Sequence, residues 1–353
     1  MNDPLPPGSV IGILGGGQLG RMLAMAAARL GMITRIYDPD PGAPAGQVAA
    51  LTVGGWDDAA RLAEFAGGCA VVSYEFENIP PAALDAIEAR APVHPNRRAL
   101  EISRDRRSEK AFLNDLGLAT APWVEVRDAA SLAAALDRIG APAILKTATL
   151  GYDGKGQARI MAPTDAAAAL AAMEGRPAVL EGFVDFSAEV SVIAARGLSG
   201  EVVCYDPGAN LHEGGILRTT TVPAGLRAGQ MQDAVLLAGR MLRELDYVGV
   251  MGVELFVSPA GLIVNEIAPR VHNSGHWTQA GCAVDQFEQH IRAICGWPLG
   301  DGRRYADVVM ENLIGADMDR VAQISGESGA QLHLYGKAQV RPGRKMGHVN
   351  RLA

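Results

Sequence analysis

The chain has 353 residues, a formal net charge of -7 at pH 7, 48% hydrophobic and 20% charged residues. Because a typical domain holds roughly 100–150 residues, this length predicts two or three domains rather than one core. The composition excludes a disordered chain, and the acidic balance disfavours nucleic-acid binding, which depends on a basic surface. We therefore expect a folded protein with several cores and no nucleic-acid partner.

The four cysteines are scattered along the chain without a Cys-x-x-Cys pair. This spacing disfavours a zinc site, a redox motif and a disulfide framework, and it is typical of reduced thiols. The start of the chain lacks the basic and apolar stretches of a signal peptide, and no apolar run reaches the roughly 18 residues of a membrane span. We expect a cytoplasmic protein that does not contact a membrane.

Strand and helix patterns alternate over the first part of the chain. The predicted elements are a strand at Val10–Leu14, a helix from about Gln18 to Leu30, and further elements at Ile33–Tyr37 (strand), Ala70–Phe76 (strand) and Pro80–Ala89 (helix). Such alternation favours a doubly wound parallel sheet. We assign residues 1–103 to this N-terminal domain.

The next part of the chain combines alanine-rich helices with short strands. The predicted helices are Arg104–Leu116, Ala129–Ile139 and Thr164–Met173, and the predicted strands are Pro142–Thr147 and Ala178–Val184. Their lengths and bounding turns favour amphipathic helices over a low-complexity segment. We assign residues 104–186 to a small central domain.

Antiparallel strand patterns dominate the remainder of the chain. The predicted elements are strands at Glu189–Ala195, Glu201–Tyr205, Val250–Val257 and Leu262–Ile267, with a helix near Met231–Leu245. This is the pattern of a mixed domain, which we assign to residues 187–353. The predicted fold class is therefore α/β plus α+β, with a doubly wound N-terminal lobe, a small central lobe and a mixed antiparallel C-terminal lobe.

A glycine-rich turn joins the first strand to the first helix. Gly15, Gly17 and Gly20 match the G-x-G-x-x-G pattern, and Asp38 ends the next strand at a spacing suited to a ribose. The motif alone is weak, because any anion that approaches the N–H groups of a helix start needs a turn without side chains. Three interpretations stay open: nicotinamide binding, an anionic substrate, which we favour, and a purely structural turn.

Two acidic residues lie in the predicted strands of a hairpin. If Pro259–Gly261 form its loop, Ser258 pairs with Leu262, and Glu254 lies directly opposite Glu266. Like charges in that position destabilise a sheet unless a cation separates them, and Mg²⁺ that accompanies a nucleotide favours carboxylates. We predict a magnesium site, with a solvated hairpin face and a shared-proton pair for acid–base catalysis as the alternatives.

A lysine in an apolar strand and the loop after it predict a phosphate site. Lys146 lies where an ammonium group is costly unless it meets an anion. The loop 151–157 surrounds Asp153 and Lys155 with glycines, so it can bend over a triphosphate and donate N–H groups to it. The alternative is a mobile connection with a lysine that reaches water. With the carboxylate pair, these features predict phosphoryl transfer from ATP with Mg²⁺.

Longer motifs carry a resemblance to a known family. They are GGGQLGRM at 15–22, GYDGKGQ at 151–157, NEIAPRVHNSGHWT at 265–278 and RPGRKMGH at 341–348. With them the sequence resembles the ATP-grasp ligases, and specifically the N5-carboxyaminoimidazole ribonucleotide synthase family of purine biosynthesis. The resemblance implies an ATP-grasp fold, a homodimer, and carboxylation of 5-aminoimidazole ribonucleotide (AIR) by bicarbonate. ATP would be spent on carboxyphosphate, giving ADP and phosphate.

The resemblance also implies a set of nucleotide-binding residues. Glu181 would accept a hydrogen bond from the adenine amino group, and Glu189 would bind the ribose hydroxyls. Many ATP-grasp proteins carry an asparagine two positions after the second magnesium glutamate, but this chain has Ala268 there, so we expect two carboxylates and water to hold the metal. The metal residues are Glu254 and Glu266. The ATP-binding residues are Arg106, Lys146, Gly151, Tyr152, Asp153, Gly154, Lys155, Gly156, Gln157, Glu181, Gly182, Phe183, Val184, Glu189, His212, Asn265 and Glu266.

On the substrate side the resemblance implies a pocket for AIR. Lys337 and Arg344 would clamp the phosphate of the ribonucleotide, which suits a point charge and a bidentate fork. Without the resemblance, the basic residues around Arg344 would be interpreted as a solvated face. The predicted catalytic residues are Asp153, Lys155 and Arg270. The predicted substrate-binding residues are Gln18, Leu19, Glu75, Tyr152, Asp153, Arg270, His272, Asn273, Ser274, Lys337 and Arg344.

Three other functions stay open on the sequence alone. Another ATP-grasp ligase would join a different pair of substrates. An NAD-dependent oxidoreductase would use the glycine turn, but it leaves Glu254, Glu266 and the loop at 151–157 without an explanation. A non-catalytic nucleotide-binding protein would need no turnover at all.

Overall fold

Three separate sheets, each with its own helices, organise the chain in a computed structural model of the protein. The structure describes residues 3–151 and 155–353. The predicted site residues Tyr152, Asp153 and Gly154 lie outside the described residues. Each sheet falls within one of the three predicted sequence ranges, and the domain boundaries themselves stay a prediction.

A parallel sheet with the strand order β3-β2-β1-β4 forms the N-terminal part. The central strand β1 is apolar because helices cover both of its faces: Ile11 and Ile13 share a core with α1, while Leu14 packs with Phe65 of α2. The predicted doubly wound lobe is confirmed. Its elements are β1 (Val10–Leu14), α1 (Gln18–Arg29), β2 (Ile33–Asp38), β3 (Ala50–Val53), α2 (Ala59–Gly67), β4 (Val71–Tyr74), α3 (Pro81–Glu88) and α4 (Arg97–Arg104).

An antiparallel sheet with the order β5-β8-β6-β7 forms the central part. Helix α6 begins where Asp128 accepts a hydrogen bond from Ser131 N, and it packs Leu132 and Ala135 on the sheet. The helix predicted at 164–173 is shorter, because a 3₁₀ turn takes its start. The elements are α5 (Arg106–Asp115), β5 (Trp123–Val126), α6 (Ala129–Ile139), β6 (Ala143–Thr147), β7 (Gln157–Ile160), α7 (Ala166–Ala171) and β8 (Ala178–Gly182).

The largest sheet has the order β14-β13-β9-β11-β12-β15-β17-β16, with β10 paired to β9. Helix α8 covers one face with Ala234, Ala238 and Met241, and α10 covers the other with Phe287 and Ile291. The elements are β9 (Ala188–Arg196), β10 (Val202–Cys204), β11 (Gly208–Glu213), β12 (Ile216–Val222), α8 (Ala228–Glu244), β13 (Gly249–Ser258), β14 (Gly261–Ala268), α9 (Thr278–Gly281), α10 (Gln286–Ile294), β15 (Val308–Ile314), α11 (Val321–Ile324), β16 (Ala330–Leu334) and β17 (Lys345–Leu352).

A buried histidine fixes the parallel sheet to the largest one. Val250 N donates a hydrogen bond to His290 Nδ1 at 3.1 Å, so the ring hydrogen is on Nε2, which lies 2.7 Å from Ser73 Oγ. Helix α1 shares its core with α10 across the same boundary. The ends of β4 and β14, which carry predicted site residues, are therefore held in a fixed relation.

The four cysteines are free thiols, as their scattered positions predict. Burial raises the pKa of Cys204 to about 11 and that of Cys295 to about 12, so both stay protonated at neutral pH. None of the helices in the described parts of the chain has the length and apolar character that a membrane crossing requires.

Candidate nucleotide and metal site

The hairpin β13–β14 brings the two predicted metal carboxylates together. Glu254 lies directly opposite Glu266, as predicted. The predicted pairing of Ser258 with Leu262 is wrong, because the loop has two residues and Ser258 pairs with Gly261. The register shifts by one residue between Leu262 and Glu266, and this β-bulge restores the opposition of the two carboxylates.

The bulge arises from a conflict between the core and the cleft. Val264 faces Leu255 and Ile267 faces Val253 in the same buried core, although Val264 and Ile267 are three residues apart. A regular strand returns to the same face every second residue, so one residue, Asn265, must be extra. This slip of the apolar period is visible in the sequence and would have predicted the bulge.

The electrostatics of the carboxylate pair favour a cation. Burial, and then the charge of Glu266, raises the pKa of Glu254 to about 7. His272 Nε2 and Asn265 Nδ2 each lie 3.5 Å from an oxygen of Glu254. Arg106 Nη1 lies 3.3 Å from Glu266 Oε2. Because burial and the charge of Glu266 both disfavour the ionised form of Glu254, a cation between the two carboxylates would stabilise that ionised form.

The oxygen donors at this pair fit Mg²⁺ rather than a softer metal. Besides the carboxylates of Glu254 and Glu266, the buried Asn265 Oδ1 has no hydrogen-bond partner among the residues that the structure describes. Within residues 3–151 and 155–353 no group of three or more His, Cys, Asp or Glu side chains could hold a metal ion. A cation here would thus depend on two carboxylates and other ligands, as Ala268 implies.

Glu181 holds two lysines in the central part. Lys146 Nζ lies 2.9 Å from Glu181 Oε2, and Lys110 Nζ lies 3.1 Å from Oε1. Burial alone raises the pKa of Glu181, but the charges of Lys146 and Lys110 outweigh it and hold that pKa at about 2. The Glu181 carboxylate is therefore a permanent counter-ion for both lysines, and its predicted hydrogen bond with adenine stays a prediction.

Helix α5 supplies two buried charged residues that sequence analysis did not single out. Glu109 is 2% exposed, and its Oε1 accepts a hydrogen bond from Ile267 N at 2.7 Å. Burial, and then the charge of Glu266, raises the pKa of Glu109 to about 8. Arg106, Glu109 and Lys110 lie on one helix face because they are three and four residues apart. That spacing in the charged helix was the available signal.

A cleft between the central part and the largest sheet brings together predicted nucleotide and catalytic residues. It is lined by Arg106, Gly151, Glu266 and Arg270. Lys155, on the loop that starts at Gly151, is exposed. The cleft therefore joins the magnesium hairpin, the start of the glycine loop and a catalytic candidate at one place.

The described ends of the glycine loop connect β6 and β7. Thr147 N donates a hydrogen bond to Gly156 O at 2.8 Å. Gly156 has a φ of 70°, and a Cβ there would lie 2.6 Å from Thr147 Oγ1, so glycine is required for both reasons. Gln157, predicted within the loop, is the first residue of β7. The loop itself is thus shorter than its motif.

Glu189, predicted to bind the ribose, and His212, predicted to bind the nucleotide, lie on the neighbouring strands β9 and β11. His212 Nδ1 lies 2.6 Å from Glu189 Oε2. Burial lowers the pKa of His212, but the contact with Glu189 and the charges of Glu254 and Glu189 together outweigh burial, so the pKa is raised. Gly182, the last residue of β8, and Val184 are half-buried, and Phe183 between them is 52% exposed. The exposed ring of Phe183 offers a flat apolar surface on which a base can stack.

The segment 270–274 is held rigidly by residues that sequence analysis did not name. Arg270 Nε donates to Glu77 Oε2 at 2.7 Å, and His272 N donates to Gln286 Oε1 at 2.9 Å. Glu77 is distant in sequence, and Gln286 lies on α10 beyond the 265–278 motif, so neither belongs to that motif. The contact with Glu77 orients Arg270 toward the cleft.

Two further contacts fix the polar side chains of this segment. Asn273 and Asn312 exchange hydrogen bonds of 2.9 and 2.8 Å between their amide groups. Ser274 Oγ lies 2.8 Å from His272 Nδ1. Burial lowers the pKa of His272 well below its usual value, so its ring is neutral. Asn273 is thus already paired, and Ser274 orients His272 beside the metal carboxylates.

The N–H groups of the glycine turn are occupied by carboxylates of the chain itself. Gly17 N and Gly20 N donate to Glu75 at 2.8 and 3.1 Å, and Gly16 N donates to Asp38 Oδ2 at 2.6 Å. A Cβ on Gly17 would lie 2.5 Å from Glu75 Oε1. In this structure, carboxylates of the chain itself therefore accept the hydrogen bonds of these amides, and the favoured interpretation, an anionic substrate at this turn, stays a prediction.

The remaining predicted substrate residues lie in two places. Gln18 and Leu19 begin helix α1 at this turn, and Lys337 and Arg344 lie in the segment before β17. Gln18 is half-buried, whereas the Leu19 side chain is 7% exposed and belongs to the core, so only its backbone can meet a ligand. Lys337 Nζ donates to Lys345 O at 2.7 Å. Arg344 Nη1 donates to Gln339 O at 3.2 Å. Lys337 and Arg344 both lie between β16 and β17.

Matches to known protein families cover nearly the whole chain. The ATP-grasp domain family matches residues 111–287, the ribonucleotide synthetase preATP-grasp domain matches 9–104, and the phosphoribosylaminoimidazole carboxylase C-terminal domain matches 308–353. N5-carboxyaminoimidazole ribonucleotide synthase of Brucella melitensis is 55% identical, over 99% of this chain and 97% of its own length.

Solved structures agree with these matches. An N5-carboxyaminoimidazole ribonucleotide synthetase in complex with ADP superposes with a TM-score of 0.97 at 39% identity, covering 100% of this chain and 94% of that one. The Aspergillus clavatus enzyme in complex with ADP and 5-aminoimidazole ribonucleotide gives a TM-score of 0.93 at 31% identity, covering 98% and 94%. The ATP-grasp fold is confirmed. The chain belongs to the N5-carboxyaminoimidazole ribonucleotide synthase family of ATP-dependent ligases.

Proposed function

We propose that the chain carboxylates AIR with bicarbonate at the expense of ATP, giving N5-carboxyaminoimidazole ribonucleotide, ADP and phosphate in purine biosynthesis. The observation that carries this proposal is the single cleft lined by Arg106, Glu266 and Arg270. Arg106 and the metal carboxylate Glu266 would face the nucleotide. Arg270, which is held by Glu77, would face the other reactants.

The nucleotide half of the site uses charges that are already in place. Lys146 and Arg106 would bind the phosphates of ATP, each beside a carboxylate that orients it. Glu254 and Glu266 would hold Mg²⁺, which when bound supplies positive charge to the phosphate oxygens. In this arrangement an oxygen of bicarbonate attacks the γ-phosphorus, the bond to ADP breaks, and carboxyphosphate forms.

The second half of the site would complete the transfer. Arg270, held by Glu77, is placed to stabilise the negative charge of carboxyphosphate while its C–O bond breaks and phosphate leaves. The carbon, released as CO2, then bonds to the AIR amine, whose proton passes to the departing phosphate, with Asp153 and Lys155 as the further catalytic candidates. Lys337 and Arg344 would bind the ribonucleotide phosphate. His272, Asn273 and Ser274 would line the pocket around its ring.

The assembly of the chain is a separate proposal. A homodimer is implied by the family resemblance and by nothing in the contacts of the single chain. Analytical ultracentrifugation of the purified protein tests it, with a sedimenting mass near twice the 37.0 kDa of one chain as the expected result. A single species at the mass of one chain would refute it.

The reaction is tested by ADP release with AIR and bicarbonate omitted in turn. We expect fast release only when both are present together with Mg²⁺ and ATP. ADP release at the same rate with and without AIR would contradict the proposal. Stimulation by a different ribonucleotide, or by a carboxylate and an amine, would favour another ATP-grasp ligase. Any change in nicotinamide absorbance would favour the oxidoreductase.

A further inference from the structure

Two lysines share one carboxylate at the nucleotide side, but only one of them can reach a ligand. The Lys110 side chain is 0% exposed, whereas that of Lys146 is 12% exposed. Each lies about one hydrogen-bond length from a different oxygen of Glu181, which is itself buried. Within the described parts of the chain, the Lys110 ammonium has no hydrogen-bond partner beyond this ion pair.

A fully buried ammonium is costly, so its retention calls for a physical reason. The three groups together carry one net positive charge, because two lysines face one carboxylate. If Lys110 were absent, Glu181 would neutralise Lys146 entirely. With Lys110 present, the carboxylate divides its attraction between two ammonium groups, and the accessible Lys146 keeps positive charge for an external anion.

Helix α5 makes this arrangement rigid. On the helix face that carries Lys110, Arg106 contacts Glu266 and Glu109 accepts from Ile267 N. One helix thus fixes the lysine side and the carboxylate side of the cleft relative to each other. A shift of Lys110 would be transmitted to both.

We propose that Lys110 is a positioning residue for the nucleotide, which acts through Glu181 by seating Lys146 and leaving it positively charged toward the phosphates. The inference rests on the proposed role of Lys146 as a phosphate ligand. Lys110 itself does not touch the nucleotide, because its side chain is enclosed by protein.

The test is binding of ADP with Mg²⁺ to the full chain, measured by titration calorimetry without AIR or bicarbonate. Lys110→Met keeps the length of the side chain and removes its charge, and we expect the Kd to rise about tenfold, as for loss of one charge-assisted contact. The KM for AIR should change less than about twofold. Arg127→Met, which removes a positive charge from a side chain that is 73% exposed, is the control and should bind ADP normally.

A double-mutant cycle separates action through Glu181 from general damage. In a Glu181→Gln background, Lys110→Met should change the Kd for ADP by less than about twofold, because the shared carboxylate is gone. An equal loss in both backgrounds, or normal ADP binding by Lys110→Met, would overturn the inference. If Lys110→Met does not fold, Lys110→Gln takes its place with the same expected result.

The outcome does not depend on the reaction proposed above. ADP release that needs AIR and bicarbonate, together with normal ADP binding by Lys110→Met, would remove this inference alone. Loss of ADP binding on Lys110→Met, in a protein that does not respond to AIR, would remove the proposed reaction and keep the role of Lys110.

Discussion

Glu266 is the member of the carboxylate pair that lies nearer to solvent, with 38% of its side chain exposed. Glu266→Gln keeps the size of the side chain and removes the charge that would bind Mg²⁺. We expect ADP release to fall about 10²–10³-fold, the usual effect of losing one electrostatic contact in a transition state. The fold should be retained, since Gln can still accept from Arg106.

The measurement for Glu266→Gln is steady-state ADP release over a range of Mg²⁺ concentrations. Glu327→Gln is the control, because Glu327 pairs with Arg351 and takes no part in the cleft. Turnover by Glu266→Gln at the level of this control would remove Glu266 from the metal site.

Asn273 is held by its amide exchange with Asn312, which is 0% exposed. Asn312→Ala removes the partner of the half-buried Asn273 amide and of the buried Leu217 O, which should lower the free energy of unfolding by about 1–3 kcal/mol. It should also raise the KM for AIR, because Asn273 is then free to rotate.

A comparison with Gln289→Ala separates these two effects. Gln289 is equally buried and exchanges hydrogen bonds with Gly300, outside the turn that holds Asn273. Both variants should be less stable in urea denaturation, but only Asn312→Ala should bind AIR more weakly. An unchanged KM for AIR in Asn312→Ala would contradict the assignment of Asn273 to the substrate pocket.

At the scale of elements, the turn before α1 depends on close backbone approach. A Cβ on Gly20 would lie 2.5 Å from Gly15 O, a backbone atom that cannot move aside. Gly20→Ala should therefore destabilise the protein by about 1–3 kcal/mol, as overpacking does. Gly229→Ala, on α8 with open space around it, should instead stabilise by about 0.4–1 kcal/mol.

Thermal or urea unfolding of both glycine variants provides the measurement. The two substitutions add the same methyl group, so any difference between them reports the space around each position. Equal stability of the two variants would show that the turn adjusts and that Glu75 does not lock it.

Element boundaries were predictable where one local signal dominates. Strand β1 and helix α6 have the predicted bounds, because an apolar run ends at a glycine turn in one case and Asp128 caps the helix in the other. The hairpin register was not predictable from loop length. The two-residue loop shifts the pairing by one residue from the predicted register, and the bulge shifts it back before Glu254. The strands after residue 268 were not predicted at all; β15 has a partner, β12, that is distant in sequence.

At the scale of the whole molecule, the candidate site was only partly visible in the sequence. Facing carboxylates and the glycine loop carry local patterns. Glu77 and Lys110 do not, because each acquires its role from a residue far along the chain, as Glu77 does by accepting from Arg270. Charged residues in a helix are usually solvated, and only the packing of α5 between two sheets makes Lys110 buried.

Buried histidines make the stability of the whole molecule depend on pH. Burial lowers the pKa of His272, His276, His290 and His348, so the folded state keeps these rings neutral. Below pH 6.5 these histidines bind protons in the unfolded chain but stay neutral in the folded chain. The contribution of the four rings to stability is therefore lost as the pH falls. Each such ring contributes about 1.4 kcal/mol per pH unit.

Urea denaturation between pH 5 and pH 7.5 measures this effect. Glu109 and Glu254, with raised pKa values, act in the opposite sense over the same range, so the net slope is smaller than the histidine sum. His348→Gln isolates one ring, and the slope of its unfolding free energy below pH 6.5 should be shallower by about 1.4 kcal/mol per pH unit. Equal slopes in the two proteins would contradict the neutral state of His348.

The bulge in β14 means that this strand has one residue more, Asn265, than its pairing with β13 requires. Without Asn265, Val264 would still face Leu255 and Glu266 would still face Glu254 in an unbroken ladder. Point substitutions cannot change that alignment, because it depends on the number of residues between the core and the cleft. Shortening by this one residue is therefore the change of chain length that the strand can absorb without moving either its core side chains or its carboxylate.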